Sequence, residues 1–382
     1  MPSSRPAIPF NWPAPIGREL EYMADAAQRG HLSGDGHYTR VASEMLSSEH
    51  NGAKVLLTTS CTHALEMAAL LLDIKPGDEV IVPSFTFVSA VNAFVLRGAR
   101  PVFADIRADT LNIDETKLRG LITPNTRAVV PVHYAGVACE MDEISAICDE
   151  HNIAIVEDNA HGIFGKYKGR PLGTIGQLST LSFHETKNFT AGEGGALVIN
   201  DPEFAARAEI LREKGTNRSA YFRGQVDKYT WVDMGSSYLP SELLAAWLWA
   251  QLQEREAITA RRSEIWNRYK SGLANWAARN NCAMPVVPAG VEPTHHIFHV
   301  VLPSLQFRTA LLDFLRGQGI GAVFHYQALN VSPMGRKFGG TTGECPVAER
   351  VSDCLIRLPL FNTLDLADVD KVIGAIDSFD VQ

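Results

Sequence analysis

The chain has 382 residues, of which 46% are hydrophobic and 20% charged, and its formal net charge is −8. These proportions are typical of a folded globular protein and argue against a disordered chain. No run of Lys or Arg residues interrupts the acidic balance, so no nucleic-acid partner is expected.

The start of the chain and its cysteines predict a cytoplasmic protein. Residues 1–17 lack the basic-then-apolar pattern of a secretory signal. The longest apolar stretches, such as LLAAWLWAQL, are shorter than the about 20 residues that a membrane-spanning helix needs. The six cysteines form no CxxC pair and no dense scaffold, which favours free thiols over disulfides or a zinc site.

From residue 54 the chain alternates short apolar runs with amphipathic stretches. KVLLTTS, DEVIVPS and RAVVPVH are runs of the first kind, and THALEMAALLLDI and MDEISAICDEH are stretches of the second. Val- and Ile-rich runs separated by segments of helical period are typical of parallel strands covered by helices on both faces. This part of the chain is therefore predicted to be α/β.

The order of elements changes after the run IAIVED. LSTLSF and GGALVIN follow with no helix between them, which indicates the edge or turning point of a mixed sheet. A long aromatic-rich helix is predicted over residues 241–270, then strands at IFHVVLP and AVFHY and helices at FRTALLDFLRGQG and after TLDLADVD. We place a large α/β domain, with an N-terminal arm, at residues 1–250 and a smaller domain at residues 251–382.

Polar groups follow two of the predicted strands at the same edge of the sheet. Asp158 ends the strand in VEDNAH, with His161 three residues later, and ligands of open α/β sheets bind outside the carboxyl ends of the strands. Ser60, Cys61 and Thr62 lie at a strand-to-helix turn, where backbone N–H groups without helical partners form an anion site. A phosphate group would fit there.

An aromatic pair and a lysine complete the set. Phe85 and Phe87 follow a third strand, and Lys187, with Ser182 before it, lies in the polar connection SFHETKNFTAGEGG. The glycines behind the lysine leave room for a planar ligand against the backbone.

Together these are the groups that hold pyridoxal phosphate. An amine forms a Schiff base with the aldehyde, a carboxylate keeps the pyridine nitrogen protonated, a helix start binds the phosphate, and an aromatic ring stacks on the cofactor. Each residue alone has a simpler interpretation, with Lys187 a solvated charge, Asp158 and Ser60 helix caps, and Phe85 and Phe87 core residues. Because all four features fall at one sheet edge, the sequence predicts a pyridoxal phosphate enzyme whose reaction these residues leave open.

Three motifs, EDNAH, SFHETKNFTAGEGG and GSSYLPSELLAA, resemble those of the DegT/StrS-type nucleotide-sugar aminotransferases, and the resemblance runs over nearly the whole chain. It implies a fold-type-I enzyme with a large, mixed, mostly parallel seven-stranded sheet and a smaller C-terminal α+β domain. It also implies pyridoxal 5'-phosphate as cofactor and a homodimer with active sites at the subunit interface.

Two further stretches narrow the implied reaction. PVHYAGVACEMD and EKGTNRSAYFRGQVDKYTW resemble the members of this family that form dTDP-4-amino-4,6-dideoxygalactose. The resemblance implies that L-glutamate gives its amino group to the 4-keto carbon of a dTDP-linked 4-keto-6-deoxyglucose. The aminosugar would serve a cell-surface polysaccharide.

The resemblance also implies roles for individual residues. Lys187 matches the Schiff-base lysine, which also moves the proton between substrate and cofactor. Asp158 matches the partner of the pyridine nitrogen, and His161 stands where the family places Gln or His near the phenolic oxygen. Further cofactor contacts are implied for Ser60, Cys61, Phe87, Ser182 and, at the place of an Asn from the neighbouring subunit, Ser237.

Substrate contacts are implied in two segments. His325 and Tyr326 match a sugar-facing segment, in which Ala328 and Asn330 replace the usual Pro and His. The loop at residues 212–231 has the guanidinium and aromatic groups that suit a nucleotide diphosphate, although a solvated loop is the simpler interpretation. Its candidate substrate residues are Arg223, Lys228 and Tyr229.

Three alternatives complete the sequence-based predictions. One is amination at C3, or dehydration, of a related nucleotide keto sugar; dehydratases of this family carry His in place of the lysine, and Lys187 argues against them. A second is a catalytically silent regulator. A third, a metal site at His295, His296 and His299, is not expected, because strand alternation would send His296 to the opposite face.

Overall fold

The computed structural model describes residues 6–379. In that part of the chain the strands are β1 Lys54–Thr58, β2 Glu79–Pro83, β3 Arg100–Ala104, β4 Thr126–Val129, β5 Ala154–Asp158, β6 Lys166–Tyr167, β7 Arg170–Pro171, β8 Leu178–Ser182, β9 Gly195–Ile199, β10 Val291–Glu292, β11 His299–Val301 and β12 Leu355–Arg357.

The α-helices of the same residues are α1 Glu19–Gln28, α2 His37–Glu49, α3 Cys61–Leu71, α4 Ser89–Val95, α5 Leu118–Leu121, α6 Met141–His151, α7 Ala205–Arg212, α8 Arg218–Phe222, α9 Glu242–Gln253, α10 Arg255–Gly272, α11 Ala274–Arg279, α12 Leu305–Gly317, α13 Pro333–Lys337, α14 Pro346–Cys354 and α15 Leu366–Asp377. Short 3-10 turns lie at Glu115–Lys117, Tyr134–Gly136, Pro202–Phe204 and Leu329–Val331.

A seven-stranded sheet in the order β1-β9-β8-β5-β4-β2-β3 forms the centre of the molecule. The neighbouring strands β3, β2, β4, β5 and β8 are parallel to one another. β9 is antiparallel to both of its neighbours, β1 and β8. The predicted α/β class with a mixed, mostly parallel sheet is therefore confirmed. Since β8 and β9 are joined without a crossover helix, β9 has to run against the other six strands.

Helices cover both faces of this sheet, as the alternation of apolar runs predicted. α3 and α4 pack on one face, and α2, α6 and α9 pack on the other. Because β2 and β8 are covered on both faces, all five consecutive residues of each strand are buried. This explains why they read as continuous apolar runs rather than as alternating ones.

The predicted long helix at residues 241–270 is two helices. α9 ends and α10 begins on either side of Glu254, whose φ and ψ of −91° and 16° leave the α-helical range. α9 packs against α1 and α2 beside the large sheet, whereas α10 packs against α15. One continuous helix would not pack against both α1 and α15, so tertiary packing overrides the helical propensity of this segment.

The C-terminal elements build a second hydrophobic core. It contains residues of α10, α11, α12, α15, β11 and β12, and it also takes up Ile8 from the N-terminal segment. Only the end of the predicted strand IFHVVLP pairs, as β11 with β12, and residues 322–326 form a single bridge from Val323 to Arg357 in place of the predicted strand AVFHY. We propose the break between α9 and α10 as the domain boundary.

Within residues 6–379, no helix combines the length and the apolar character that crossing a membrane requires.

Candidate active site

A cavity of about 710 Å³ lies where the carboxyl ends of β1, β2, β5 and β8 meet the second core. These four strands run in the same direction, so their carboxyl ends share one edge of the sheet. The cavity brings together nine of the predicted site residues: Ser60, Cys61, Phe87, Asp158, His161, Ser182, Lys187, His325 and Tyr326.

Lys187 lies in the loop between β8 and β9, which closes with short-range backbone hydrogen bonds. Glu185 N–H donates to the Gly192 carbonyl at 2.8 Å, and Lys187 N–H donates to the His184 carbonyl at 2.9 Å. Burial in the cavity lowers the pKa of the Lys187 amine to about 8, against the opposing fields of Cys61 and Asp158. A substantial fraction of this amine is therefore neutral near physiological pH.

The residue after the lysine is fixed from three sides. The Asn188 side chain is 4% exposed and donates to the Thr294 carbonyl at 2.9 Å. Its Oδ1 pairs with Nδ1 of His296 at 2.8 Å, and its backbone carbonyl accepts from Nδ2 of Asn362 at 3.0 Å. The loop therefore presents Lys187 from a rigid base.

Asp158 ends β5 with its carboxylate 5% exposed. Burial raises the pKa of this carboxyl group, and the Ala160 N–H, the Lys187 amine and His133 oppose that shift. The Ala160 N–H donates to Oδ1 at 3.1 Å, which is the one hydrogen bond that the side chain accepts within residues 6–379. The other oxygen is free to bind a cationic N–H group in the cavity.

Glu157, beside Asp158, is fully buried and holds the strand end in place. It accepts hydrogen bonds from His133 Nε2 at 2.9 Å and from the backbone N–H groups of Gly173, Ile175 and Gly176 at 2.9, 2.7 and 2.7 Å. Although burial opposes it, this set of donors lowers the pKa of Glu157 below its ordinary value. Such a carboxylate acts as a structural clamp next to Asp158.

His161 packs in a stack of neutral rings. Its Nδ1 accepts from the Ala135 N–H at 3.3 Å, so the ring proton lies on Nε2, 3.4 Å from the Tyr326 hydroxyl. The ring lies 4.2 Å from that of His296 between centroids. Burial lowers the pKa of both His161 and His296 well below the ordinary value. His161 therefore offers an uncharged N–H donor to a ligand.

The start of α3 forms an anion cradle. Ser60 caps the helix by accepting from the His63 N–H at 3.1 Å, which leaves the N–H groups of Cys61 and Thr62 without a helical partner. A Cβ on Gly195 would lie 2.3 Å from Cys61 N, so only glycine allows β9 to approach the cradle this closely. Burial raises the pKa of the Cys61 thiol, which stays protonated and adds no negative charge beside a bound anion.

The two phenylalanines that follow β2 lie in different environments. Phe87 is 56% exposed and lines the cavity, 6.1 Å from the Tyr326 ring. Phe85 is 1% exposed and packs on Tyr134 and Tyr326 at 5.3 and 5.6 Å. Phe87 is thus positioned for stacking, whereas Phe85 is a core residue beneath it.

Four predicted residues do not line the cavity of their own chain. Ser237, Arg223, Lys228 and Tyr229 are exposed, and Arg223 donates from Nη2 to Glu209 at 2.8 Å. Their loop lies beyond α7, outside the edge where the strand ends converge. Their roles stay predictions that depend on a second subunit.

The two departures in the segment HYQALNVSP also lie outside the cavity lining. Ala328 is buried in the core. The Asn330 amide accepts from Ser84 Oγ at 2.7 Å and donates to the Thr341 carbonyl at 2.8 Å and to Glu349 Oε1 at 2.7 Å. Asn330 therefore ties loops together and leaves His325 and Tyr326 to face the cavity.

Sequence reasoning missed several lining residues, among them Phe10, Asn11, His296 and Arg357. The three histidines from 295 onward do not share one strand, since β11 begins only at His299 and His295 has a φ of 52°. Within the described residues no group of three or more His, Cys, Asp or Glu side chains is placed to hold a metal ion.

Comparison with known proteins assigns this architecture to a family. The model of the DegT/DnrJ/EryC1/StrS aminotransferase family matches residues 15–377, and the chain belongs to that family. It is 34% identical to the uncharacterized protein MJ1066 of Methanocaldococcus jannaschii, over 87% of this chain and 88% of the relative.

Two solved structures share the whole fold. Spr1654 of Streptococcus pneumoniae, described as a sugar aminotransferase and solved in a pyridoxal phosphate form, has 28% identity and a TM-score of 0.90 over 97% of this chain and 98% of its own. The aminotransferase TlmJ of Streptoalloteichus hindustanus has 30% identity and a TM-score of 0.89 over 97% and 98%.

The protein is accordingly a sugar aminotransferase of this family that uses pyridoxal phosphate. The predicted enzyme class and cofactor are confirmed. The residues of the cavity fit this cofactor, because an amine, an available carboxylate oxygen, an anion cradle and an exposed aromatic ring surround one space. When bound, pyridoxal phosphate takes an amino group from a donor and passes it to a keto acceptor.

Proposed function

We propose that this enzyme transfers the amino group of L-glutamate to C4 of dTDP-4-keto-6-deoxy-D-glucose and forms dTDP-4-amino-4,6-dideoxy-D-galactose. Amino transfer rests on one observation, the meeting of Lys187, Asp158, His161 and the α3 cradle in a single cavity. The assignment of the sugar substrate depends on the resemblance of residues 131–142 and 213–231 to dTDP-4-amino-4,6-dideoxygalactose transaminases.

The first of those stretches supports the proposal through its contacts. The Ala135 N–H orients His161, and the Tyr134 hydroxyl lies 2.8 Å from Nδ1 of His325. A segment that resembles the C4 transaminases therefore shapes the cavity wall near His325 and Tyr326, which we assign to the sugar.

Lys187 is proposed as the catalytic residue. Its amine binds the cofactor and then carries the proton that has to move during amino transfer, and a pKa of about 8 suits a group that both accepts and donates a proton near neutral pH. We assign Asp158 to the pyridine nitrogen, since its free oxygen lies in the cavity and a negative charge there holds a proton on that nitrogen.

We assign the remaining cofactor contacts from where the other lining residues lie in the cavity. The N–H groups of Cys61 and Thr62, with the hydroxyls of Ser60 and Ser182, would hold the phosphate. Phe87 would stack on the ring, and the His161 Nε2–H would donate to its phenolic oxygen.

A homodimer is part of the same proposal. Exposed apolar side chains lie along residues 222–234, with Phe222 70%, Trp231 78% and Met234 47% exposed, and Leu96 at 68% is a further one. Burying these groups against a second copy would remove apolar surface from water and bring the loop of Arg223, Lys228 and Tyr229, and Ser237, toward the partner's cavity.

Sedimentation analysis tests the dimer. Trp231→Lys should weaken association, because it places a charge in the apolar patch, whereas Leu305→Lys, on the surface of the second core, should not. A monomeric wild-type protein would contradict the dimer.

A cytoplasmic location is also proposed. All six cysteines carry free thiols, which is typical of a reducing compartment.

The proposed reaction is tested by supplying acceptors. The purified enzyme with pyridoxal phosphate and L-glutamate is incubated with dTDP-4-keto-6-deoxyglucose, a dTDP-3-keto isomer and the UDP and GDP 4-keto analogues. Mass spectrometry and NMR should show 4-amination of the dTDP-4-keto sugar with an axial amine. Preferred amination at C3, loss of water, or preference for another nucleotide would overturn the substrate assignment while leaving the enzyme class intact.

A further inference from the structure

A fully buried histidine and glutamate, His133 and Glu157, lie next to Asp158 at the end of β5. Both side chains are 0% exposed. Nδ1 of His133 accepts from the Cys139 N–H at 3.2 Å, so the ring proton lies on Nε2, which donates to Oε2 of Glu157 at 2.9 Å. Neither residue is among those that line the cavity. The pair can therefore act on a ligand only through a neighbouring residue.

His133 is bonded to both Glu157 and Asp158. Its ring donates to the Glu157 carboxylate, and its backbone N–H donates to the Asp158 carbonyl at 3.3 Å. The Asp158 N–H in turn donates to the Pro131 carbonyl at 2.9 Å. The segment that follows β4 is therefore attached along the end of β5 by its backbone and by one side chain.

Glu157 also bonds to the turn before β8. The backbone N–H groups of Gly173, Ile175 and Gly176 donate to its carboxylate at 2.9, 2.7 and 2.7 Å. The Ser179 hydroxyl donates to its backbone carbonyl at 3.1 Å. Since β5 lies between β4 and β8, this one carboxylate ties the end of β5 to the segments on both sides of it.

Asp158 depends on its backbone for its position. Within residues 6–379 its carboxylate accepts one hydrogen bond, from the Ala160 N–H at 3.1 Å, whereas the Glu157 carboxylate accepts four. A carboxylate with a single partner moves with the strand that carries it. The place of the free Asp158 oxygen in the cavity is thus set by the bonds that fix the end of β5.

The segment that carries His133 also orients the second polar group of the cavity. Two residues further on, Ala135 has a φ of 58°, and its N–H donates to Nδ1 of His161 at 3.3 Å. One short turn after β4 therefore holds both Asp158 and His161. A change of shape at His133 would reach both groups.

We propose that His133 and Glu157 are positioning residues of the amino transfer, which fix the end of β5 so that the free oxygen of Asp158 stands where the pyridine nitrogen of the cofactor binds. The inference rests on the proposed function in the role that it gives to Asp158. A misplacement of about 1 Å can lower an enzymatic rate by about 100-fold, so the support of a carboxylate with one partner matters to the chemistry.

Glu242, at the start of α9, provides a matched control. It is 2% exposed and does not line the cavity. Its carboxylate accepts from the backbone N–H groups of Gly36, Tyr38 and Thr39 at 3.1, 2.8 and 3.0 Å and from the Thr39 hydroxyl. Glu242→Gln therefore removes the same charge from a carboxylate with as many donors, in a clamp that does not bond to Asp158.

The experiment compares Glu157→Gln, His133→Leu and His133→Gln with Glu242→Gln and Asp158→Asn. Each protein is loaded with pyridoxal phosphate, and its visible absorption spectrum is recorded. Stopped-flow absorbance after mixing with L-glutamate gives the rate constant and the apparent KM of the donor half-reaction. The spectrum responds to the bonding of the pyridine nitrogen, which a residue that only stabilises the fold would leave unchanged.

Glu157→Gln and His133→Leu should lower the rate constant of the donor half-reaction by about 10- to 100-fold, with little change in KM. Their spectra should shift in the same direction as that of Asp158→Asn. His133→Gln should recover most of the rate, because it keeps an N–H donor toward Glu157. Glu242→Gln should unfold at a lower urea concentration, as Glu157→Gln does, and keep the wild-type spectrum and rate.

Wild-type spectra and rates in Glu157→Gln and His133→Leu would overturn the proposal. Equal losses in Glu242→Gln would do the same, because they would mean that lower stability alone slows the reaction. If Glu157→Gln does not fold, as judged by circular dichroism, the two His133 variants decide. A wild-type spectrum and rate in Asp158→Asn would instead refute the role of Asp158 in the proposed function, and no sugar enters any of these measurements.

Discussion

The side-chain amide of Asn362 donates to the backbone carbonyl of Asn188 at 3.0 Å. Asn362 follows Phe361 of the second core and Asn188 follows Lys187 directly, so the C-terminal part of the chain holds the loop that carries the proposed catalytic amine. Arg262, 2% exposed and without an acidic partner in the described residues, supports the contact by donating from Nη1 to Asn362 Oδ1 at 2.9 Å.

Removing this contact should loosen the Lys187 loop. Asn362→Ala leaves the Asn188 carbonyl and the Nη1 of Arg262 without partners, and an unpaired buried polar group costs about 1–3 kcal/mol. The free energy of unfolding in urea should fall by that amount, and turnover should fall with it. Asn267→Ala, which removes an exposed amide that bonds within α10, should change stability by less than about 0.5 kcal/mol. Equal stability of the two variants would contradict the role of Asn362.

Replacing Lys187, the proposed catalytic residue, should remove activity without unfolding the protein. Lys187→Ala should lower turnover by at least about 10³-fold, because no other lysine among residues 6–379 lines the cavity to bind the cofactor or move the proton. The melting temperature should stay close to that of the wild type, since the Lys187 side chain faces the cavity and its amine forms no ion pair within the described residues. Lys371→Ala, an exposed lysine on α15, is the control and should retain full activity. Turnover by Lys187→Ala above about one tenth of wild type would refute the assignment.

Cofactor capture by the apo protein should depend on pH through the same amine. Burial lowers the pKa of Lys187 from 10.5 to about 8. Because only the neutral amine attacks an aldehyde, the rate should rise with pH through about 8 and level off above it. Stopped-flow absorbance after mixing with pyridoxal phosphate, from about pH 6 to about pH 10, measures this profile. A rate still rising steeply at the alkaline end would mean that the pKa is unshifted.

The anion cradle should be sensitive to a single methyl group. Gly195→Ala would place Cβ 2.3 Å from Cys61 N and 2.3 Å from the carbonyl carbon of Ser60, so β9 or the start of α3 has to move. We expect a loss of about 1–3 kcal/mol in stability and at least about 10-fold weaker binding of pyridoxal phosphate. Gly374→Ala, on α15 with no atom within 4 Å of the added group, should leave both unchanged or slightly raise stability. Titration of the apo proteins by fluorescence gives the comparison.

Local sequence signals predicted most of the residues that we propose as the cofactor site. Asp158, Ser60 and Lys187 each follow an apolar run, and the carboxyl ends of parallel strands share one edge, so strand prediction alone brings them together. Phe85 and Phe87 show the limit of that reasoning, because alternation along the chain does not say which ring lies in the core. The predicted helix at residues 241–270 is two helices for a similar reason, since α9 packs in the core of the large sheet and α10 packs in the second core.

The sequence by itself determined the α/β order of elements, the mixed sheet and the cluster of reactive groups at its carboxyl edge, because each depends on short-range pattern and on the shared direction of the strands. Only the tertiary structure decided that Arg357 and His296 reach the same cavity, that Asn362 contacts the loop of Lys187, and that the loop of Arg223 stays outside the cavity. Those residues lie more than 100 positions from Lys187 or outside its sheet edge, and how the second core packs on the first is set by long-range contacts that no local pattern records.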